Sequence, residues 1–134
     1  VNVADVVQGI ADHLALGLPA GYHVLAHNPM GAISAPAVIV APNASTFDDD
    51  FDGGWTLNVA VIVLLAHTGN AVDVQQTLWA HAQPTGELSI RELLDDLDLD
   101  DVDEWVVVGF EAPGRFEIGG AEYPGVQINL EVMA

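Results

Sequence analysis

The sequence predicts an α+β fold: a mostly antiparallel sheet of about five to six strands with helices packed on one face. The element order is α-β-β-β-α-α-β-β-β over a single domain, residues 1–134. Three observations predict it. Strand-like runs come in two consecutive groups, near residues 22–67 and 105–133, with helical-period segments before and between them; a nucleotide-binding sheet would alternate strand and helix one for one. Apolar residues make up 51% of the chain, enough for a core despite a formal net charge of −18. A length of 134 residues suffices for one core and is short for two ordinary domains.

Val3, Val6, Val7, Ile10 and Leu14 recur at helical spacing behind Asn2 as N-cap, with Asp5 in the first turn, and Gly17, Pro19 and Gly21 end that helix. Residues 22–27, YHVLAH, read as a short strand, and 28–36, NPMGAISAP, as a loop. Residues 37–42, AVIVAP, are β-branched at the centre and closed by Pro42. The segment 55–67, WTLNVAVIVLLAH, gives the longest predicted strand. Its residues 61–65 are apolar on both faces, which places it centrally in the sheet with packing on each side.

Asn70 caps a predicted helix to about Ala82, with Val74, Leu78 and Trp79 on its buried side. Ser89-Ile90-Arg91-Glu92 has the form of a capping box and starts a second helix through Leu93, Leu94 and Leu97. The acids of 95–104, DDLDLDDVDE, oppose the helix macrodipole and favour a stop near Asp98. A strand follows over 105–113, and RFEIGGAEYPGVQINLEVM reads as two strands about Gly119-Gly120, a type I′ hairpin signal.

Arg91 and Arg115 are the two cationic side chains, against 20 carboxylates and no lysine. Neutralising phosphates takes Lys and Arg, so the chain is too poor in cations to grip DNA, and its charge repels a polyanion within about a Debye length, ~8 Å. There is no cysteine, which excludes disulfides and thiolate zinc. The opening VNVADVV carries no basic leader, and no run approaches the roughly 18 apolar residues of a membrane span, so the expectation is a soluble, unexported chain.

The five histidines form neither H-x-H nor H-E-x-x-H, and His23 and His27 on one strand stand ~13 Å apart. Nucleophile-elbow, P-loop and dinucleotide fingerprints are missing, so an enzyme reading has no foothold and no cofactor is expected. The acidic loop STFDDDFDGG needs a separate account. Asp48, Asp50, Asp52 and Gly53 match the opening of a calcium loop, but the twelfth position is Val59 and a strand follows in place of a helix, which excludes an EF-hand. Two readings stay open: a β-β turn that projects carboxylates beyond the sheet edge, and a partial metal site on Asp48, Asp50 and Asp52.

The series PAVIVAP, an acidic loop, WTLNVAVIVLLAHTGNAVDVQQTLWAHAQPTGELSIRELLDD and WVVVGFEAPGRFEIGGAEYPGVQINLEVM resembles the tail terminator proteins of long-tailed (siphovirus-type) phages, most closely those infecting actinobacteria. The corresponding residues are Pro36 to Val40, Gly86 to Leu93 with Arg91 in place, and Arg115 to Gly125 with Gly119, Gly120, Tyr123 and Gly125. The resemblance covers almost the whole chain, and the order and spacing of the motifs carry it. It implies a homo-oligomeric ring, typically hexameric, at the head-proximal end of the tail tube. Such a ring stops polymerisation of the tail tube protein and gives head-completion or neck proteins a docking surface, in the virion and, during assembly, in the host cytoplasm. DNA would pass through an acidic channel without specific binding.

Residues expected at subunit interfaces or the lumen are Asp48, Asp49, Asp50, Phe51, Asp52, Arg91, Arg115 and Phe116. The extreme charge departs from the family pattern. Closing a ring gathers like charges, so assembly is expected to be favoured by salt or divalent ions, with Arg91 or Arg115 facing acids on a neighbour. Arg91 has a local alternative in Asp95 at i+4. Rival readings are a head-closure or other neck connector, a calcium-dependent binding module, and a protein from a high-salt organism.

Overall fold

The computed structural model describes residues 2–27, 33–47, 55–66, 70–99, 102 and 104–133. Its elements are α1 (Val3–Gly17), β1 (His23–Leu25), β2 (Ala37–Phe47), β3 (Trp55–Leu64), α2 (Ala71–Ala82), α3 (Ile90–Leu93), β4 (Glu104–Ile118) and β5 (Ala121–Met133). The five strands form one sheet in the order β1-β2-β3-β5-β4. β1 pairs parallel with β2, and every other pairing is antiparallel. The fold is α+β as the sequence predicts, with β3 in the middle of the sheet.

The first helix forms where its caps and its stripe agree. Asn2 Oδ1 accepts from the backbone N–H groups of Ala4 (2.9 Å) and Asp5 (3.4 Å), satisfying two of the orphan donors of the first turn. Val6, Val7, Ile10, Ala11 and Leu14 are buried on one face of α1. They meet the sheet residues Val38, Val40, Leu57, Val59, Val61, Val63, Val126, Ile128, Leu130 and Val132, with Leu78, Ile90 and Leu94, in the main core. The helices thus share one face of the sheet: α1 lies over β1 and β2, α2 over β5 and β4, and α3 between them against both helices.

The other face carries a smaller core. Ile39, Ala41 and Leu64 are buried there, with Leu25, Ile33, Ile62, Phe116, Ile118 and Tyr123 packed around them. Tyr123 donates its hydroxyl to the Ile33 carbonyl (3.2 Å), which holds the segment before β2 over this cluster. The apolar run in β3 is explained by the two cores together: Val61 and Val63 point to the helices, Ile62 and Leu64 to the smaller cluster.

Several elements differ from the sequence reading. β2 does not close at Pro42 but continues to Phe47 through a register shift between Pro42 and Ala44. β1 covers only Ala37 to Ile39, so beyond that point β2 is bordered on one side alone, and the N–H that proline lacks is not needed for a ladder. The two strands expected over 105–118 are one, β4, 15 residues long and longer than β3 with 10. Register shifts at Val107/Gly109 and Glu111/Gly114 let Pro113 be absorbed without a break. Ile118 pairs with Ala121, and Gly119 (φ 59°) and Gly120 (φ 84°) supply the two left-handed residues of a type I′ turn.

The helix begun by Ser89 is a single turn, ending at Leu93 and not near Asp98. Ser89 Oγ accepts from the Glu92 N–H (3.2 Å), while the Glu92 carboxylate takes the Gly86 N–H in place of the Ser89 N–H of a standard capping box. Ser89 is fully buried and also donates its hydroxyl to the Gln83 carbonyl, so this one side chain ties the end of α2 to the start of α3. Ser89→Ala is expected to cost about 1–2 kcal/mol in urea unfolding, with an unchanged denaturant slope.

Candidate functional site

On α2 the buried stripe is not quite the one the periodicity suggests. Val74, Leu78 and His81 follow i, i+4, i+7 toward the core, and Trp79, one residue off that stripe, is 48% exposed. His81 takes the place expected for Trp79 and is fully buried. Its Nδ1 lies 2.8 Å from the Leu88 carbonyl, which can only accept, so Nδ1 carries the proton. Nε2 then accepts from the Tyr22 hydroxyl at 3.0 Å, and the two rings meet edge to face. Burial lowers the His81 pKa below its ordinary value, with the Leu88 contact opposing, and burial raises that of Tyr22. His81 is a neutral structural tie between α2, the turn before α3 and the segment after α1.

The charged side chains are distributed on the surface. Of the carboxylates with described side chains, only Glu131 is part-buried and the rest are exposed. His13 Nε2 meets Asp96 Oδ1 at 2.8 Å, linking α1 to the turn after α3, and this hydrogen bond lowers the Asp96 pKa. Arg115 meets Glu122 of the same hairpin at 3.4 Å. Glu122 stands directly opposite Glu117, so Arg115 offsets a like-charge cross-strand pair. Arg91 is exposed and, among the described residues, makes no ion pair with Asp95 or any other acid. The single-turn α3 ends before Asp95 can take the i+4 position of a helix.

Three of the exposed large apolar side chains lie on one edge strand of the sheet. Among the described residues β4 borders β5 alone, and it presents Val106 (44% exposed), Val108 (61%) and Phe110 (54%). Val108 sits in the register shift, without a partner on β5. Where the end of α2 and α3 stop short of this edge, a cleft of about 240 Å³ opens, floored by Val107 and Ile128 and rimmed by Val108, Phe110, Pro84 and Arg91. The volume is below that of a pocket for a drug-sized ligand or cofactor and fits one or two side chains.

No family model matches the chain, and no curated protein matches it. The site therefore rests on the placement of its residues. Of those singled out from sequence, Arg91 is at the cleft, Arg115 is engaged within its own hairpin, and Phe116 packs in the smaller core on the sheet's other face. Asp48, Asp49, Asp50, Phe51 and Asp52 lie outside the described residues. Among the described residues no group of three or more metal-ligating side chains converges. Val108 and Phe110 were not distinguished by sequence, because a continuous apolar run such as WVVVGF reads the same on an inner strand as on an edge.

Proposed function

We propose that this chain is a structural protein of a phage tail, a tail terminator that assembles as a homo-oligomeric ring at the head-proximal end of the tail tube. The observation that carries this reading is the long edge of β4, where exposed Val108 and Phe110 lie beside Arg91, which makes no ion pair among the described residues, on an otherwise acidic surface. Apolar side chains clustered on a sheet edge mark a contact surface. Carboxylates with almost no compensating cations suit a passage that DNA crosses without sticking.

Native mass spectrometry of the chain, alone and with tail tubes assembled from the tube protein of the same genome, tests this. A closed ring, or stoichiometric recruitment to tube ends, is the expected result, and added salt or magnesium should favour it by screening like charges. Binding to portal complexes in preference to tube ends would instead identify a neck connector. A monomer that ignores tubes and takes up one calcium tightly would overturn the ring reading.

A further inference from the structure

The edge of β4 is unsuited to growing the sheet by strand addition. Its two register shifts and Pro113 interrupt the outward row of backbone donors and acceptors, a common device against edge-to-edge pairing. Contact there must be made by side chains, and the cleft beside Arg91 is the concave part of that surface.

Two copies of a chain with net charge −18 repel except where a cation of one meets an acid of the other. Arg115 already has Glu122 as partner, and Arg91 has none among the described residues, so Arg91 is the cation placed to receive an outside carboxylate. A two-fold contact centred on this cleft would place Arg91 against Arg91. A head-to-tail contact places it against acid and, where the rotation closes, generates a ring.

The opposite end of the molecule carries a complementary shape. α1 lies over β1 and β2, across the sheet from β4, and its outer stripe is exposed at Asp5, Gln8, Asp12 and Leu16. Leu16 is 86% exposed, the most exposed of the large apolar side chains described. It stands one turn after Asp12, so an apolar knob and a carboxylate share one face. We infer that the α1 stripe of one copy docks in the cleft of the next, Leu16 against Val107, Phe110 and Ile128, and Asp12 against Arg91. This inference rests on the ring reading for its biological setting and assigns the contact that would build the ring.

Charge exchange tests it. R91D and D12R are each expected to weaken self-association roughly tenfold or more, and the double variant R91D/D12R to recover most of the loss, as read by native mass spectrometry and sedimentation. L16D should weaken association similarly, and R115E should leave it unchanged. All these positions are exposed, so the melting curves serve as fold controls. Rings of unchanged mass in R91D and D12R, or a double variant no better than the singles, would overturn the inference. Wild-type rings that ignore tube ends, lost in R91D and restored in the double variant, would keep the contact and remove the tail-terminator reading. Tube-end rings indifferent to R91D would do the reverse, and a wild-type chain monomeric under every condition would remove both.

Discussion

Gly125→Ala is expected to lower the stability of this protein by about 3 kcal/mol or more, although it adds a single methyl group. Gly125 pairs with Leu64 on the central strand and with Gly114 on the edge strand. A Cβ there would stand 2.7 Å from the Val63 carbonyl oxygen and 2.8 Å from both Leu64 Cδ2 and Phe116 Cδ2. Side-chain ends can swing away, but the carbonyl belongs to the backbone of β3 and cannot move without disturbing the ladder on both sides. Its cross-strand neighbour is the control. A Cβ on Gly114 would meet nothing within 4 Å, so Gly114→Ala should stay within about 0.5–1 kcal/mol of the parent. Thermal and urea unfolding of the two variants decide the matter, and equal midpoints would refute the close-approach account.

His81→Ala is the second large effect, expected to cost about 3–5 kcal/mol. The substitution leaves a cavity under α2 and strands both the Leu88 carbonyl and the Tyr22 hydroxyl, each of which has His81 as its partner. It also has a pH signature. Because the folded pKa of His81 lies below its unfolded value near 6.5, the fold favours the neutral ring, and this contribution is fully present above about pH 6.5. As the pH falls below that value the unfolded chain takes up the proton first, and stability declines by at most about 1.4 kcal/mol per pH unit until the folded state protonates too. The wild-type-minus-variant difference should therefore shrink between pH 7 and pH 5. A difference constant across that range would show that His81 titrates alike in both states. His81→Phe, which keeps the ring volume, separates the cavity from the hydrogen bonds.

Much of the fold was legible because local signals agreed with the global pattern. Asn2, Asn70 and Ser89 cap the helices as read, and a strand apolar on both faces did prove central. What escaped was set by neighbours. The continuation of β2 past Pro42 depends on β1 being three residues long, which composition does not encode. The exchange of Trp79 for His81 in the core depends on two acceptor and donor groups, the Leu88 carbonyl and the Tyr22 hydroxyl, arriving from elsewhere in the chain. A polar residue on a buried stripe looks like an interruption until its partners are known. The candidate site was half legible: Arg91 stood out through the rarity of cations, whereas the apolar rim around it required knowing which strand is the edge.

The strand order also bears on how the chain is made. β2 and β3 are joined in sequence and can pair as soon as both have emerged from the ribosome, but the other side of β3 waits for β5, with Thr56 meeting Met133. Until then the nascent chain holds a central strand, apolar on both faces, with one side unzipped. Such late, long-range closure is slow, and the waiting edge is sticky. A carboxylate-rich chain at this stage repels its siblings on the same polysome, so the charge that marks the folded surface also keeps unfinished copies apart.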